Sequence, residues 1–172
     1  MFSRIIKNFF LKRTINKRLE KHQLQHHSHI IKSIGIVIDE TYFKETSALI
    51  DQLVKIGFKE DKIEVLHFLD KKKKNLASNK QYIFNKDISW SGIIKSESVN
   101  QFVNQNFDLL INYYDIEKPA LLLISKKSKA NFKVGFQSID KRVHHFMVNL
   151  PAEQYKDFVT ELYKYLKILK KI

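Results

Sequence analysis

An uninterrupted apolar run, Ser33-Ile-Gly-Ile-Val-Ile-Asp39, constrains the fold of this chain more than any other feature. Such a run, closed by acidic residues, is typical of a strand that is buried on both faces of a parallel sheet. A helix that ends at Gly57 is predicted next. Its inward face is predicted to carry Leu49, Ile50, Leu53 and Val54. The alternating segment 62–68 predicts a second strand. A crossover of this length favours a parallel β-α-β pair.

The same alternation continues toward the C-terminus. Strands are predicted at 107–113, 132–136 and 144–150, whereas residues 70–95 read as an irregular insertion. Ser96 is expected to cap one helix, and Pro119 and Pro151 are each expected to open another. The last helix is predicted to bury Phe158, Leu162, Tyr165, Leu166 and Leu169. The order of elements predicts a three-layer, Rossmann-like α/β domain at 33–172, with a mostly parallel sheet of about five strands.

Residues 1–32 differ from this domain in their charge. They carry eight Lys or Arg residues and one acid, a net +7 of the chain's formal +13. Residues 2–27 contain neither Gly nor Pro, and the spacing of their first apolar residues is i, i+3, i+4 and i+7, which predicts one helical face. That face carries Phe2, Ile5, Ile6 and Phe9. Residues 1–32 are therefore predicted to be a basic, amphipathic helical extension.

This excess of positive charge predicts an anionic partner. The candidate anion-binding residues are Arg4, Lys7, Lys12, Arg13, Lys17, Arg18, Lys71, Lys72, Lys73 and Lys74. RNA or the ribosome is the first expected partner, because lysines and arginines that contact phosphates give strong, salt-dependent binding. Lysine outnumbers arginine 27 to four. This ratio favours contacts with a charged backbone over bidentate recognition of bases.

The N-terminal segment has two other interpretations. In the first, Phe2, Ile5, Ile6 and Phe9 enter a membrane surface while the lysines contact anionic headgroups. In the second, the same apolar face packs on the protein's own domain and the charges are solvated. A cytoplasmic location is expected in each case, with the inner face of the membrane as the alternative place, since no apolar stretch approaches the roughly 20 residues that span a bilayer.

Several classes of chemistry are excluded or not indicated. The chain has no cysteine, which rules out disulfides, thiolate zinc sites and thiol catalysis. His22, His26 and His29 would share a helical face, but no carboxylate joins them at ligand spacing, and no metal is predicted. The first β-α turn has acids where a phosphate-binding loop has glycines. No cofactor is predicted, and a non-enzymatic binding protein is favoured.

The carboxyl ends of the strands are the place for an alternative, small-molecule or enzymatic site. Asp39 and Glu40 follow the first predicted strand, Tyr113 and Asp115 the third, and Gly135 lies near the end of the fourth. Two acids and a tyrosine form a general acid/base group if they converge. In the structural alternative, Asp39 or Thr41 caps the first helix, and Tyr113 and Tyr114 pack at the rim of the sheet.

The segment 107–136 also carries a resemblance. Together with Gly35–Asp39 and Trp90-Ser-Gly92, it resembles a family of uncharacterised bacterial proteins, known as a domain of unknown function of about this length. That resemblance implies no catalytic residue. The same segment is similar, at the level of the fold, to the N-terminal domain of heptosyltransferase-like glycosyltransferases, in which a strand with Asp-Leu, an apolar helix and a strand ending in Gly-Phe succeed one another. This second likeness implies a shared fold and no activity.

Overall fold

The computed structural model describes residues 30–71 and 75–172. Within these ranges the chain forms six strands and four α-helices. The strands are β1 (Ile34–Asp39), β2 (Ile63–Leu69), β3 (Gln81–Phe84), β4 (Leu109–Tyr113), β5 (Phe132–Phe136) and β6 (Phe146–Val148). The helices are α1 (Thr46–Lys55), α2 (Glu97–Asn104), α3 (Pro119–Lys127) and α4 (Tyr155–Ile168).

All six strands form one parallel sheet in the order β3-β2-β1-β4-β5-β6. This is the strand order of the doubly wound, Rossmann-like fold, and the predicted fold class is confirmed. The strand number is six rather than about five, because β3 lies inside the segment that was predicted to be irregular. Only Ile83 and Phe84 of its four residues are buried. An edge strand this short has no apolar periodicity that a sequence pattern can reveal.

Two layers of helices cover the sheet. α1 and α4 contact each other on one face, and α2 and α3 contact each other on the opposite face, as right-handed crossovers require. β1 and β4 lie in the centre of the sheet, and every residue of both strands is buried. On the α1/α4 face, the ring of Tyr113 packs 4.8–5.2 Å from the rings of Phe43, Phe136 and Phe158.

Three predictions for the ends of helices are confirmed, and one is wrong. The Oγ atom of Ser96 accepts a hydrogen bond from the Val99 amide at 3.4 Å, and Pro119 stands in the first turn of α3, both as predicted. Gly57 follows α1 with a φ of +108°, a conformation that favours glycine at the end of a helix. The prediction that Pro151 opens the last helix is wrong. Residues 151–154 form a turn instead, and α4 begins at Tyr155.

The inward faces of two helices are narrower than predicted. In α4, Phe158, Leu162 and Leu166 are buried, but Tyr165 and Leu169 are exposed. In α1, Leu49 and Leu53 are buried, Ile50 is half-buried and Val54 is exposed. Helical periodicity identified the correct side of each helix, but it could not show that this side extends past the edge of the sheet.

The predictions for the N-terminal segment and for part of the lysine cluster lie outside the described residues. These concern Phe2, Arg4, Ile5, Ile6, Lys7, Phe9, Lys12, Arg13, Lys17, Arg18, Lys72, Lys73 and Lys74. Lys71 is described and is exposed. No helix among the described residues has the length and apolar character that crossing a membrane requires.

Candidate functional site

A half-buried lysine links the ends of two strands to the start of a helix at the carboxyl edge of the sheet. Lys118 directly precedes α3, Asp39 ends β1 and Asp70 follows β2. The Lys118 ammonium lies 2.6 Å from Asp39 Oδ2 and 3.3 Å from Asp70 Oδ2. It also faces the rings of Tyr42 and Phe68, at 4.6 Å and 4.9 Å from their centroids. The two carboxylates offset the unfavourable position of a cation at a helix N-terminus.

A second ion pair lies beside the first. His67 Nδ1 is 2.7 Å from Glu40 Oε2, and Lys80 Nζ is 3.6 Å from Glu40 Oε1. Burial lowers the pKa of His67 from 6.5 to about 4, although the Glu40 carboxylate acts in the opposite direction. At neutral pH the imidazole is therefore uncharged, and Lys80 is the charged partner of Glu40.

Tyr113 and Asp115 have a different task from Asp39 and Glu40. The Tyr113 hydroxyl donates to the Ala152 carbonyl at 2.6 Å, and the Ala152 amide donates to Asp115 Oδ2 at 3.0 Å. Both side chains thus fix the turn that leads into α4. Burial, with the nearby carboxylate of Asp115, raises the pKa of Tyr113 and keeps it a neutral phenol. The structure separates the predicted residues: Asp39 pairs with Lys118, Glu40 contacts His67 and Lys80, and Tyr113 and Asp115 both bond to Ala152.

Gly135 is covered by a histidine. A Cβ atom at this position would lie 2.2 Å from His144 Nε2, so the imidazole packs directly on the glycine backbone. Burial lowers the pKa of His144 to about 4, and the neighbouring His145 and Lys133 act in the same direction. This glycine makes room for His144 rather than for the backbone approach of a ligand.

The opposite, amino-terminal edge of the sheet is rich in lysine. Helices α1, α3 and α4 run against the strands, so all three end at this edge, and the loops that enter β2 and β5 begin there. We call this surface the basic edge. Its lysines are Lys32, Lys55, Lys59, Lys62, Lys126, Lys127, Lys129, Lys167, Lys170 and Lys171. The acids at the same edge are Glu60, Asp61, Glu64 and Asp108, which leaves a formal charge of +6.

The chain enters the domain at the basic edge. The Ile31 amide donates to the Lys171 carbonyl at 2.8 Å, and Asp108 Oδ2 accepts from the amides of Lys32 and Ser33 at 2.9 Å and 3.0 Å. Burial alone would raise the pKa of Asp108, but these hydrogen bonds, with that of the Ser33 hydroxyl, hold it below its ordinary value. An ionised Asp108 therefore holds the first described residues of the chain at the basic edge.

The sequence model of a protein family matches residues 7–169. The chain belongs to DUF6913, a family of unknown function. The match starts within the basic segment, so most of that segment is part of the DUF6913 region. Comparison with the curated proteins and with the solved structures gives no significant match. The likeness to heptosyltransferase-like glycosyltransferases is therefore not shown.

The DUF6913 chain contains site residues that sequence reasoning missed. Lys118, His67 and Asp70 were not predicted, although two of them carry a signal. Lys118 is a cation next to a helix-opening proline, where charge is unfavourable without a partner. Asp70 follows β2 as Asp39 ends β1, and parallel strands bring these two ends together. Within residues 30–71 and 75–172, no group of three or more histidines and acids has an arrangement that could hold a metal ion.

Proposed function

We propose that this DUF6913 protein is a non-enzymatic binding protein that docks on RNA or the ribosome through its basic edge and N-terminal segment. The observation that carries this proposal is the attachment of Ile31, Lys32 and Ser33 to Lys171 and Asp108. This attachment joins the most basic stretch of the sequence to the most basic surface of the domain.

The two regions together contain nearly all of the excess charge. Residues 1–29 carry seven basic residues and one acid, a net +6, and the basic edge has a formal charge of +6. The remainder of the chain has 14 basic and 13 acidic residues, and is almost neutral. A charge of this size on one side of a small protein attracts polyanions over about a Debye length, ~8 Å at physiological salt.

The type of residue favours phosphate contacts over base recognition. All ten cations of the basic edge are lysines, which act as hydrated point charges rather than as planar bidentate donors. Asp39, Glu40 and Asp70 at the carboxyl edge repel a polyanion, although Lys71 of the predicted anion-binding cluster directly follows Asp70 there. The partner is therefore expected to bind through its sugar-phosphate backbone, on the side of the sheet opposite to these acids.

The test is a salt series with two variants of the full chain that remove equal charge. One variant carries Lys127→Gln, Lys129→Gln and Lys167→Gln at the basic edge. The control carries Lys44→Gln, Lys86→Gln and Lys141→Gln, which are exposed lysines elsewhere. Binding to a labelled structured RNA and to purified ribosomes is measured. The first variant is expected to reduce the slope of log Kd against log salt by about 2–3, and the control is expected to leave it unchanged.

Two outcomes would reject this function. If both variants weaken binding equally, the effect comes from net charge and the basic edge is not the binding surface. If neither RNA nor ribosomes bind, but vesicles with anionic lipid do, and Phe9→Asp abolishes this binding, the N-terminal face acts on membranes instead.

A further inference from the structure

An apolar surface lies next to the basic edge on the α1/α4 face. It consists of large hydrophobic side chains that are at least one-third exposed, and we call it the α4 patch. Its members are Ile30, Val54, Tyr165, Ile168, Leu169 and Ile172. Ile168 is 66% exposed and Ile30 is 61% exposed. Ile30 and Ile172 flank the hydrogen-bonded residues Ile31 and Lys171, close to the end of α4, and exposed apolar side chains gathered in this way mark an interaction surface more often than a solvated one.

The apolar side of helix α4 is covered only in part. Phe158, Leu162 and Leu166 are buried against the sheet. The same side continues with Tyr165 and with Leu169, which directly follows the helix, and Ile168 lies next to them. All three are at least one-third exposed, although the ring of Tyr165 also contacts Phe146. This uncovered end has the pattern of a surface that packs against another helix.

We propose that the α4 patch is the docking site for the apolar face of residues 2–9 of the same chain. That face contains Phe2, Ile5, Ile6 and Phe9, with the spacing i, i+3, i+4 and i+7. When two helices pack side by side, the side chains of one such stripe fit into the grooves between the side chains of the other. The buried contact would remove aromatic and branched aliphatic groups from water on both sides.

The length of the chain allows this contact. The segment enters the domain at Ile30, which is itself part of the patch, and the next residue is hydrogen-bonded to Lys171. Residues 22–29 can extend over at most ~26 Å, and a helix over residues 2–21 would be ~30 Å long. An extended linker followed by the helix that the sequence predicts would therefore bring residues 2–9 back to the patch.

Two arguments favour this occupant over a second copy of the chain. A short linker gives an effective concentration in the millimolar range, which a separate molecule does not reach in the cell. A symmetric dimer would also place Lys167, Lys170 and Lys171 of one copy against the same lysines of the other. The cations Arg4 and Lys7 avoid this repulsion, because helical geometry puts them on the side opposite to Ile5 and Phe9.

The absence of cysteine in the sequence permits a direct test in the full-length protein. The variant Ile5→Cys/Ile168→Cys places two thiols on the faces that are proposed to meet. The control Lys7→Cys/Ile168→Cys moves the first thiol to the polar side of the segment. At high dilution, we expect the first pair to form an intramolecular disulfide at least tenfold faster than the control. Equal rates, or a disulfide that forms only between two chains, would overturn the proposal.

A second measurement does not depend on engineered thiols. Ile168→Asp changes an exposed side chain, so the fold is expected to remain, which circular dichroism can check. Trypsin cleavage at Arg13, Lys17 and Arg18 is expected to accelerate several-fold in this variant. The matched control, Thr160→Asp, adds the same charge at an exposed position of α4 outside the patch and should cleave like the parent. Equal cleavage of all three proteins, or protection that requires anionic vesicles, would overturn the proposal. This inference does not rest on the proposed function, since RNA binding by the basic edge needs no docked segment.

Discussion

The ammonium of Lys118 lies 2.6 Å from Asp39 Oδ2, although the Asp39 side chain is only 4% exposed and the Lys118 side chain 14%. Charges removed from water to this extent are stable in a fold only when they are paired. Asp39 Oδ1 also accepts the Thr41 amide at 3.0 Å, so both carboxylate oxygens have partners. The pair thus connects the end of β1 to the start of α3.

The first prediction concerns this pair. Lys118→Met should lower the free energy of unfolding by about 3 kcal/mol, because it leaves Asp39 buried without its cation. Adding Asp39→Asn should recover part of the loss, since the amide no longer needs a counter-charge and still offers an oxygen to Thr41. Urea unfolding of the two single variants and the double variant gives the coupling energy. Purely additive losses would show that the two groups do not stabilise each other.

The second prediction concerns the contact of Gly135 with His144. Gly135→Ala should destabilise the protein by about 1–3 kcal/mol, because the new methyl group would overlap the imidazole and force it to move. Removing the ring with His144→Ala should relieve this overlap. In the His144→Ala background, Gly135→Ala is then expected to cost much less in chemical denaturation. An undiminished cost would place the strain in the backbone of β5 instead.

The third prediction uses the buried Lys133. Its ammonium donates to the carbonyls of Ser125 and Ser128 at 2.9 Å and 2.7 Å, and burial lowers its pKa from 10.5 to about 8. Between pH 8 and 9.5, the unfolded chain therefore binds more protons at this residue than the folded one. Stability should rise with pH in this window, by up to about 1.4 kcal/mol per pH unit.

Lys133→Met is the control for this titration. It should flatten the rise between pH 8 and 9.5, whatever its effect on absolute stability, since only the difference between pH values is compared. Thermal unfolding at a series of pH values measures both proteins. A rise of the same steepness in the variant would assign the titration to another group.

The fourth prediction concerns acid. Burial lowers the pKa values of His67 and His144 to about 4, whereas the unfolded chain has ordinary values near 6.5. The unfolded state therefore binds more protons between pH 6.5 and 4, and stability should fall as the pH is lowered through this range. His144→Phe keeps a flat ring over Gly135 and removes one titration, so it should make the loss shallower. An unchanged acid limb would mean that His144 is protonated in the fold.

The sequence predicted the central strands of the sheet more accurately than its edge strands. β1 and β4 are buried on both faces, and their uninterrupted apolar runs follow directly from that environment. β3 was not predicted, because an edge strand of four residues buries too few side chains to give a recognisable apolar pattern in the sequence. Pro151 was assigned to a helix start, but proline serves equally well in the turn that precedes one.

The candidate sites were harder to predict because their members are distant in sequence. Lys118 is 79 positions from Asp39 and 48 from Asp70, and only the parallel order of β2, β1 and β4 brings them together. The basic edge has the same origin, since Lys55, Lys127 and Lys167 reach the same edge of the sheet only because three helices end there. The sequence shows how much positive charge the chain carries, but only the topology shows on which side of the domain that charge lies.

The hydrogen bond from the Ile31 amide to the Lys171 carbonyl also bears on where a tag or a label can be attached to this protein. Ile172 directly follows Lys171 at the basic edge, so a purification tag or fluorescent protein fused after it would crowd the surface proposed to bind phosphate. An acidic tag could even mimic the partner. A small label at the exposed residues 77–79 would lie next to Lys80, which contacts Glu40 at the carboxyl edge, and would report on binding without competing for it.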